Sequence, residues 1–185
     1  MTASRAELAA RYGVAVPALD PPVLPPPELF PKRMAWVVRA DGEERTIEPM
    51  GWGFPPPAAG RVPVTNVRNL ASPFWRSALQ RPDRRALVPF TDFCEWEGEP
   101  GSKLARWFSC HTRPIASFAG VWRPTEAGLV FAFLTTDPNP LVAPIHPKAM
   151  PVILHEEDEA TWLTAAWDAA AELVAPHPSQ LMAVA

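Results

Sequence analysis

Long apolar runs are missing from this 185-residue sequence, and cysteines are scarce. No uninterrupted apolar stretch approaches the roughly 20 residues that a helix needs to cross a bilayer, so no membrane partner is expected. The opening residues, Met1-Thr2-Ala3-Ser4-Arg5-Ala6-Glu7, lack the apolar core and cleavage pattern of a secretion signal, and the expected compartment is the cytoplasm. Cys94 and Cys110 are the only cysteines. Two such thiols do not make a disulfide framework, and a zinc site would want more ligands at tighter spacing. No metal and no cofactor is therefore expected. Positive charge is also short: the net charge of −3 argues against generic nucleic-acid binding.

What is present is the balance of a globular protein. Apolar residues make up 48% and charged residues 20%, which excludes wholesale disorder, and the length suits one compact domain spanning residues 1–185. Charge is distributed unevenly. Between Arg61 and Arg85 stand Arg61, Arg68, Arg76, Arg81, Arg84 and Arg85 against the single acid Asp83, whereas from His155 to Ala185 there are acids and no Lys or Arg. A local basic face holds a phosphate backbone whatever the total charge, because distant exposed charges are screened within about 10 Å at moderate salt. A solvated arginine-rich loop is the other reading of the same run.

The 25 prolines keep regular elements short. Ser4 and Glu7 form a Ser-x-x-Glu capping box that starts a helix, and Gly13 stops it. Residues 33–40, the Asp41-Gly42 turn and residues 44–50 predict a β-hairpin, since Asp-Gly supplies the positive φ angles of a tight turn. Ser72-Pro73 opens a short helix carrying Phe74, Trp75 and Leu79. Four strand-like runs follow, at 85–97, 104–110, 115–122 and 129–135, joined by loops too short for βαβ crossovers. The core sheet should therefore be mainly antiparallel and curled, within an α+β fold. A loop at 137–149, a short strand at 151–154, an acidic helix from Glu156 to Leu163 and a helix from Trp167 to Val174 complete the chain.

Four stretches look unlike scaffold: Gly51-Trp52-Gly53-Phe54-Pro55, Thr65-Asn66-Val67-Arg68-Asn69, Phe93-Cys94-Glu95-Trp96, and the run from Pro144 through His146 to Pro151. Strand alternation puts Glu95 on the face of Phe93, and Cys94 with Trp96 on the other. A carboxylate beside an aromatic ring has its pKa raised, which suits a general acid or base; an ion pair with a nearby arginine is the alternative. His146, in a proline-flanked loop before a strand, is ambiguous, since a lone histidine is more often structural or merely exposed than catalytic.

Taken in order, WGFP, TNVRN, RRALVPFTDFCEWEG, FAGVW and FLTTDPNPLVAPIHPKAMPVIL resemble the successive signatures of the SRAP (SOS-response-associated peptidase) family, across residues 51–154. The resemblance implies a barrel-like, mainly antiparallel sheet with peripheral helices, in a single domain with a basic groove for single-stranded DNA. It implies capture of abasic sites for DNA damage tolerance, by a monomer acting at the nucleoid. In the family a cysteine exposed by removal of the initiator methionine attacks the ring-opened abasic sugar. Its amine and thiol together close a thiazolidine, and the family's proteolysis is removal of its own methionine or leader. By the same resemblance, Asn66 orients the terminal amine, Glu95 shuttles protons, and His146 assists ring opening and imine chemistry. Arg68 holds phosphate, with Arg76, Arg84 and Arg85 from the basic run beside it, while Trp52 and Phe54 lean on unstacked bases.

Residue 2 is Thr2, not cysteine. Related sequences begin Met-Cys and reach a Met-Thr-like segment only later, so Met1-Thr2 matches that internal segment. Two other readings stand beside it: a nucleophile-less variant that binds lesion DNA without a lasting bond, and a thiol peptidase using Cys94 and His146. The upstream reading is checked in the genomic DNA, where an in-frame start codon followed by a cysteine codon is expected just before Met1; its absence defeats the reading.

Overall fold

Proline and glycine divide the chain into short elements, and the computed structural model, which describes residues 3–15, 25–57, 62–99 and 101–185, is built from them. Helix α1 (Arg5–Tyr12) starts where the capping box predicts: the Glu7 amide donates to Ser4 Oγ at 3.3 Å, and the Glu7 carboxylate accepts from the Ser4 amide at 2.7 Å. Gly13 ends it at φ 64°. Strands β1 (Met34–Asp41) and β2 (Glu44–Trp52) pair antiparallel down to Asp41 and Glu44, with Gly42 at φ 66° in the turn. After β3 (Asn66–Val67) comes α2 (Pro73–Leu79), preceded by extended Ser72.

The single strand expected at 85–97 is two. β4 (Arg85–Phe90) pairs with β1 and with β7 (Ala116–Thr125), whereas β5 (Asp92–Glu97) leaves at Thr91 to pair with β6 (Leu104–Cys110). β8 (Gly128–Thr136), β9 (Met150–Pro151) and β10 (Ile153–Leu154) follow. The acidic segment begins as a 3-10 turn at Glu156–Asp158 and becomes α3 (Glu159–Thr164), then α4 (Trp167–Glu172). β11 (Met182–Val184), which the sequence reading did not anticipate, adds to the far edge of β6.

Pairing closes a ring: β7, β4, β1, β2 and β8 are neighbours in turn, and β8 pairs back with β7. The fold is thus α+β, with a barrel whose pairings are antiparallel except where β8 runs parallel to β2 and β3. Each strand sends alternate residues to two separate clusters. Trp36, Val38, Leu87, Val121, Ala132 and Leu134 meet the helices, while Val37, Val88, Phe118, Phe131 and Phe133 form the other cluster. A barrel of eight strands is just wide enough to be filled by side chains, so a ring of five cannot admit helices. The helix-covered cluster is therefore the outer wall, and the phenylalanine-rich cluster fills the lumen. The small β11-β6-β5 sheet adds Phe93 and Phe108 to that filling.

Two details fix the helices on the wall. Trp162 donates its indole N–H to the carbonyls of Ala86 and Gly120 at 3.0 and 3.2 Å. A Cβ at Gly120 would lie 2.9 Å from Val88 Cγ2, so the close approach of β7 to β4 depends on glycine there. The buried carboxylate of Glu159 accepts from Arg11 at 2.8 Å and from Ser117 Oγ at 2.6 Å, and Ser117 also bonds the Tyr12 hydroxyl at 2.8 Å. Burial drives the Tyr12 phenol well above its usual range, so it stays neutral. Because Glu159 and Ser117 are almost fully buried, removing the carboxylate takes from Arg11 and Arg45 their buried counter-charge and from Ser117 its acceptor. Glu159→Ala is expected to cost about 3–5 kcal/mol in a denaturant melt and to loosen α1 in amide exchange; an unchanged melt would refute this role.

Candidate functional site

Of the chemistry-bearing side chains, Glu95 of the small sheet and His146 of the loop after β8 are brought together. On β5 the predicted alternation holds: Phe93 is buried against Phe90, Phe108 and Phe118, and Glu95 follows on the same face. His146 comes from the loop after β8, where its amide and that of Ile145 both donate to the Val142 carbonyl at 2.9 Å, holding a tight turn between Pro144 and Pro147. His146 Nδ1 lies 3.0 Å from Glu95 Oε2. The arginine opposite Glu95, Arg106, binds Glu97 instead at 2.6 Å, so the partner is the histidine, not an arginine. Burial raises the Glu95 pKa above the ordinary carboxyl value, and the facing His146 pulls it part of the way back. A carboxyl whose pKa is raised by burial holds its proton more firmly, the direction that suits a general acid.

Trp52, at the end of β2, packs on the same aromatic cluster that holds Phe93. Its ring stacks on Phe133 at 5.1 Å and lies 6.5 Å from Phe131, and its indole N–H donates to the Thr65 carbonyl at 3.0 Å. That leaves a half-buried ring held rigidly against the lumen's aromatic filling. Gly53 has φ 127°, and a Cβ there would fall 2.7 Å from Pro63 Cβ, which restricts the position to glycine. Phe54, expected to lean on bases, is instead a core residue, 1% exposed and packed on the outer wall at 4.8 Å from Trp75. Asn66 is aligned with Phe133, and Val67 with Leu134, in the β3–β8 pairing. Since Val67 and Leu134 point to the outer wall, exposed Asn66 stands on the lumen side with Phe133 and Trp52.

The expected phosphate contacts separate into two kinds. Arg68 is exposed, at 2.5 Å from exposed Asp137, and Arg76 is exposed on α2. Arg84 places its guanidinium 4.8 Å from the Trp122 ring centroid. Arg85 is 0% exposed: its guanidinium sits over Trp162 and donates to the Ala165 carbonyl, so it braces α3 on the wall and is unavailable to DNA, a second correction. Arg61 lies outside the described residues. The sequence reading missed Arg123, at the end of β7, whose guanidinium lies 4.6 Å from the Phe54 centroid. With Arg81, Arg84, Phe74 and Trp122 it lines a cleft of about 220 Å³. Its position in phase with Ala119 and Val121 was the available signal that it folds back on the wall.

The profile of the SOS response associated peptidase (SRAP) family matches residues 1–185. The chain belongs to the SRAP family. Among its relatives is the abasic site processing protein YoqW of Bacillus subtilis, 29% identical over 136 residues, covering 66% of this chain and 59% of YoqW; the YoqW of Bacillus phage SPbeta matches equally. The chain thus spans less than two thirds of the curated relatives' length. The fold is shared with a protein from Bordetella bronchiseptica (TM-score 0.79, 22% identity, 96% of this chain and 92% of that one). It is shared also with one from Bacteroides thetaiotaomicron (TM-score 0.68, 24% identity, 82% and 72%).

Within this SRAP fold, Cys94 makes a poor peptidase nucleophile. It faces away from His146, its Sγ lies 3.6 Å from the Glu95 carbonyl, and burial together with the Glu95 charge raises its pKa, disfavouring the thiolate. α1 packs on the outer wall, and residues 1 and 2 lie outside the described residues, so the meeting of the chain's start with Glu95 is not among the described contacts.

The raised Glu95 pKa carries a stability consequence with a defined sign. Native protein holds the proton more tightly than unfolded chain, so the contribution of Glu95 is fully present below the ordinary glutamate pKa and declines as pH rises through the higher native value. The melting temperature of Glu95→Gln minus that of wild type is therefore expected to increase across that window. A difference that is flat with pH, or that falls, would contradict the shift.

Proposed function

We propose that this SRAP protein binds single-stranded DNA at abasic sites and, in a form whose first residue is cysteine, captures them as a thiazolidine cross-link. The observation that carries the reading is the Glu95–His146 pair, joined at 3.0 Å, with Trp52 packed on the same aromatic cluster as Phe93. Similarity to a protein named for abasic site processing supports the same substrate class. A terminal amine, with an ordinary pKa of about 7.7–8.0, is partly neutral at pH 7 and attacks the aldehyde of the ring-opened deoxyribose. The carbinolamine oxygen takes a proton, for which protonated Glu95 is the donor, and leaves as water while the nitrogen gives its proton back to the Glu95 carboxylate, leaving the imine. The thiol sulfur then adds to the imine carbon, and its proton passes to nitrogen. Aldehyde plus cysteine thus gives thiazolidine plus water, with no oxidant or reductant. His146 assists ring opening of the sugar, and exposed Asn66 orients the amine. Trp52 supports an unstacked base, and Arg68, Arg76 and Arg84 meet phosphates.

One feature favours a second reading for the chain as numbered. Thr2 offers no thiol, so a protein beginning Met1-Thr2 should bind lesion DNA in a salt-sensitive way without a lasting bond. A denaturing gel separates the two. Protein given a Met-Cys start is expected to yield a heat-stable adduct with abasic single-stranded DNA, and the Met1-Thr2 chain none. Glu95→Gln and His146→Ala should each slow adduct formation by about 10²-fold or more. Arg68→Ala should chiefly weaken binding and reduce the salt slope by about 1. Unchanged capture rates in the first two variants would remove the acid–base assignment.

A further inference from the structure

Asn139 does something that none of the assigned roles covers. It is 4% exposed, seven residues before His146, and every polar atom it carries is used. Its side-chain oxygen accepts from the amides of Leu141 at 3.1 Å and Val142 at 3.0 Å, and its carbonyl accepts from Val142 at 3.1 Å and Ala143 at 2.9 Å. Val142 in turn receives the His146 amide, so the geometry of the turn passes from Asn139 to His146 in two bonded steps. The side-chain nitrogen points the other way. It donates to the His177 carbonyl at 2.7 Å and lies 3.2 Å from Met182 Sδ, both in the C-terminal segment.

That segment reaches the other half of the pair. Met182 opens β11, whose partner across the sheet is Cys110 of β6, and β6 pairs with β5, which carries Glu95. The amide of Asn139 therefore joins two arms: one runs through the turn to His146, the other through β11 and β6 to Glu95. Main-chain bonds fix each arm internally, and this buried amide is a direct hydrogen-bonded tie between the turn and the C-terminal segment.

We infer that Asn139 is the positioning residue that holds His146 against Glu95, using the C-terminal segment 177–185 as a brace. A primary amide suits the task because it accepts and donates at once. An aspartate keeps the oxygen that caps the turn and loses the nitrogen that reaches the brace. The consequence for capture rests on the proposed function above, while the positioning itself does not.

The test uses the full chain with a Met-Cys start, as wild type, Asn139→Ala and Asn139→Asp, with two readouts. Imidazole NMR of His146, without DNA, reports its contact with Glu95, using Glu95→Gln as the reference for its loss. Single-turnover capture at saturating abasic DNA reports the rate, separately from the DNA dissociation constant. Both variants are expected to shift the His146 signal toward the Glu95→Gln reference and to slow capture about 10- to 100-fold, with affinity within about twofold of wild type. A role in stability alone would lower the melting temperature and leave both readouts at wild-type values. Asn139→Asp retains the turn cap, so it reports even where alanine compromises folding. A wild-type His146 signal in a folded aspartate variant would overturn the inference. If wild type forms no adduct yet the signal still shifts, the proposed function fails and the positioning role stands.

Discussion

Closure of a five-stranded ring is the constraint on which the rest depends. A ring this narrow has room for side chains and nothing else, so its lumen is filled by aromatic rings, with Phe90 on Phe118 at 3.9 Å and Phe133 under Trp52. Polar chemistry has no place among them and is displaced to the rim. There Glu95 and His146 keep partial solvent access, with side chains 21% and 38% exposed. The same filling desolvates the carboxyl from one side, which is the physical origin of its raised pKa. Scaffold and proton chemistry are thus one fact seen from two directions.

The segment Trp52-Gly53-Phe54 shows how a single strand end serves both faces. Trp52 turns to the lumen and Phe54 to the outer wall, while Gly53 takes the backbone angle that lets the chain pass Pro63. Two arginines near the outer side lie over rings, Arg84 on Trp122 and Arg123 on Phe54 and Phe74, and Arg84 also has Asp83 at 3.8 Å. In the Arg68–Asp137 pair, by contrast with Arg11 and Glu159, both partners are exposed. Such a pair is worth about 0–1 kcal/mol, so a phosphate, with its bidentate geometry, can displace Asp137 at little cost.

Much of the scaffold was legible because local signals decided it. The capping box at Ser4 and Glu7 and the Asp41-Gly42 turn act within a few residues, and no tertiary contact overrides them. What failed to show was set by partners distant in sequence. The run from Arg85 to Glu97 reads as one strand, but its halves are claimed by β7 and β6, and nothing local to Thr91 announces the exchange. Arg85 reads as one more cation of a basic run, and only the arrival of Trp162 from α3 makes it a core residue. Phe54 reads as a partner to Trp52 until Trp75 and Phe74 are seen to cover it. Glu95 and His146 were named as candidates from residue types in family order, but nothing in the sequence set the 3.0 Å between them.

That separation in sequence bears on why the pair needs outside support. Each exposed or half-exposed ion pair contributes little stability of its own, and here burial of the carboxyl works against it. Attraction between Glu95 and His146 therefore cannot by itself position two elements that meet from separate parts of the fold. The position must come from groups whose burial is complete and whose hydrogen bonds are all made, since breaking those costs far more than the pair returns. Among the described residues, the buried side chain that bonds both the turn before His146 and the C-terminal segment is Asn139. A weakly favoured pair held by strongly favoured neighbours is free to change its protonation without moving, which is what the proposed proton transfers at oxygen and nitrogen would require.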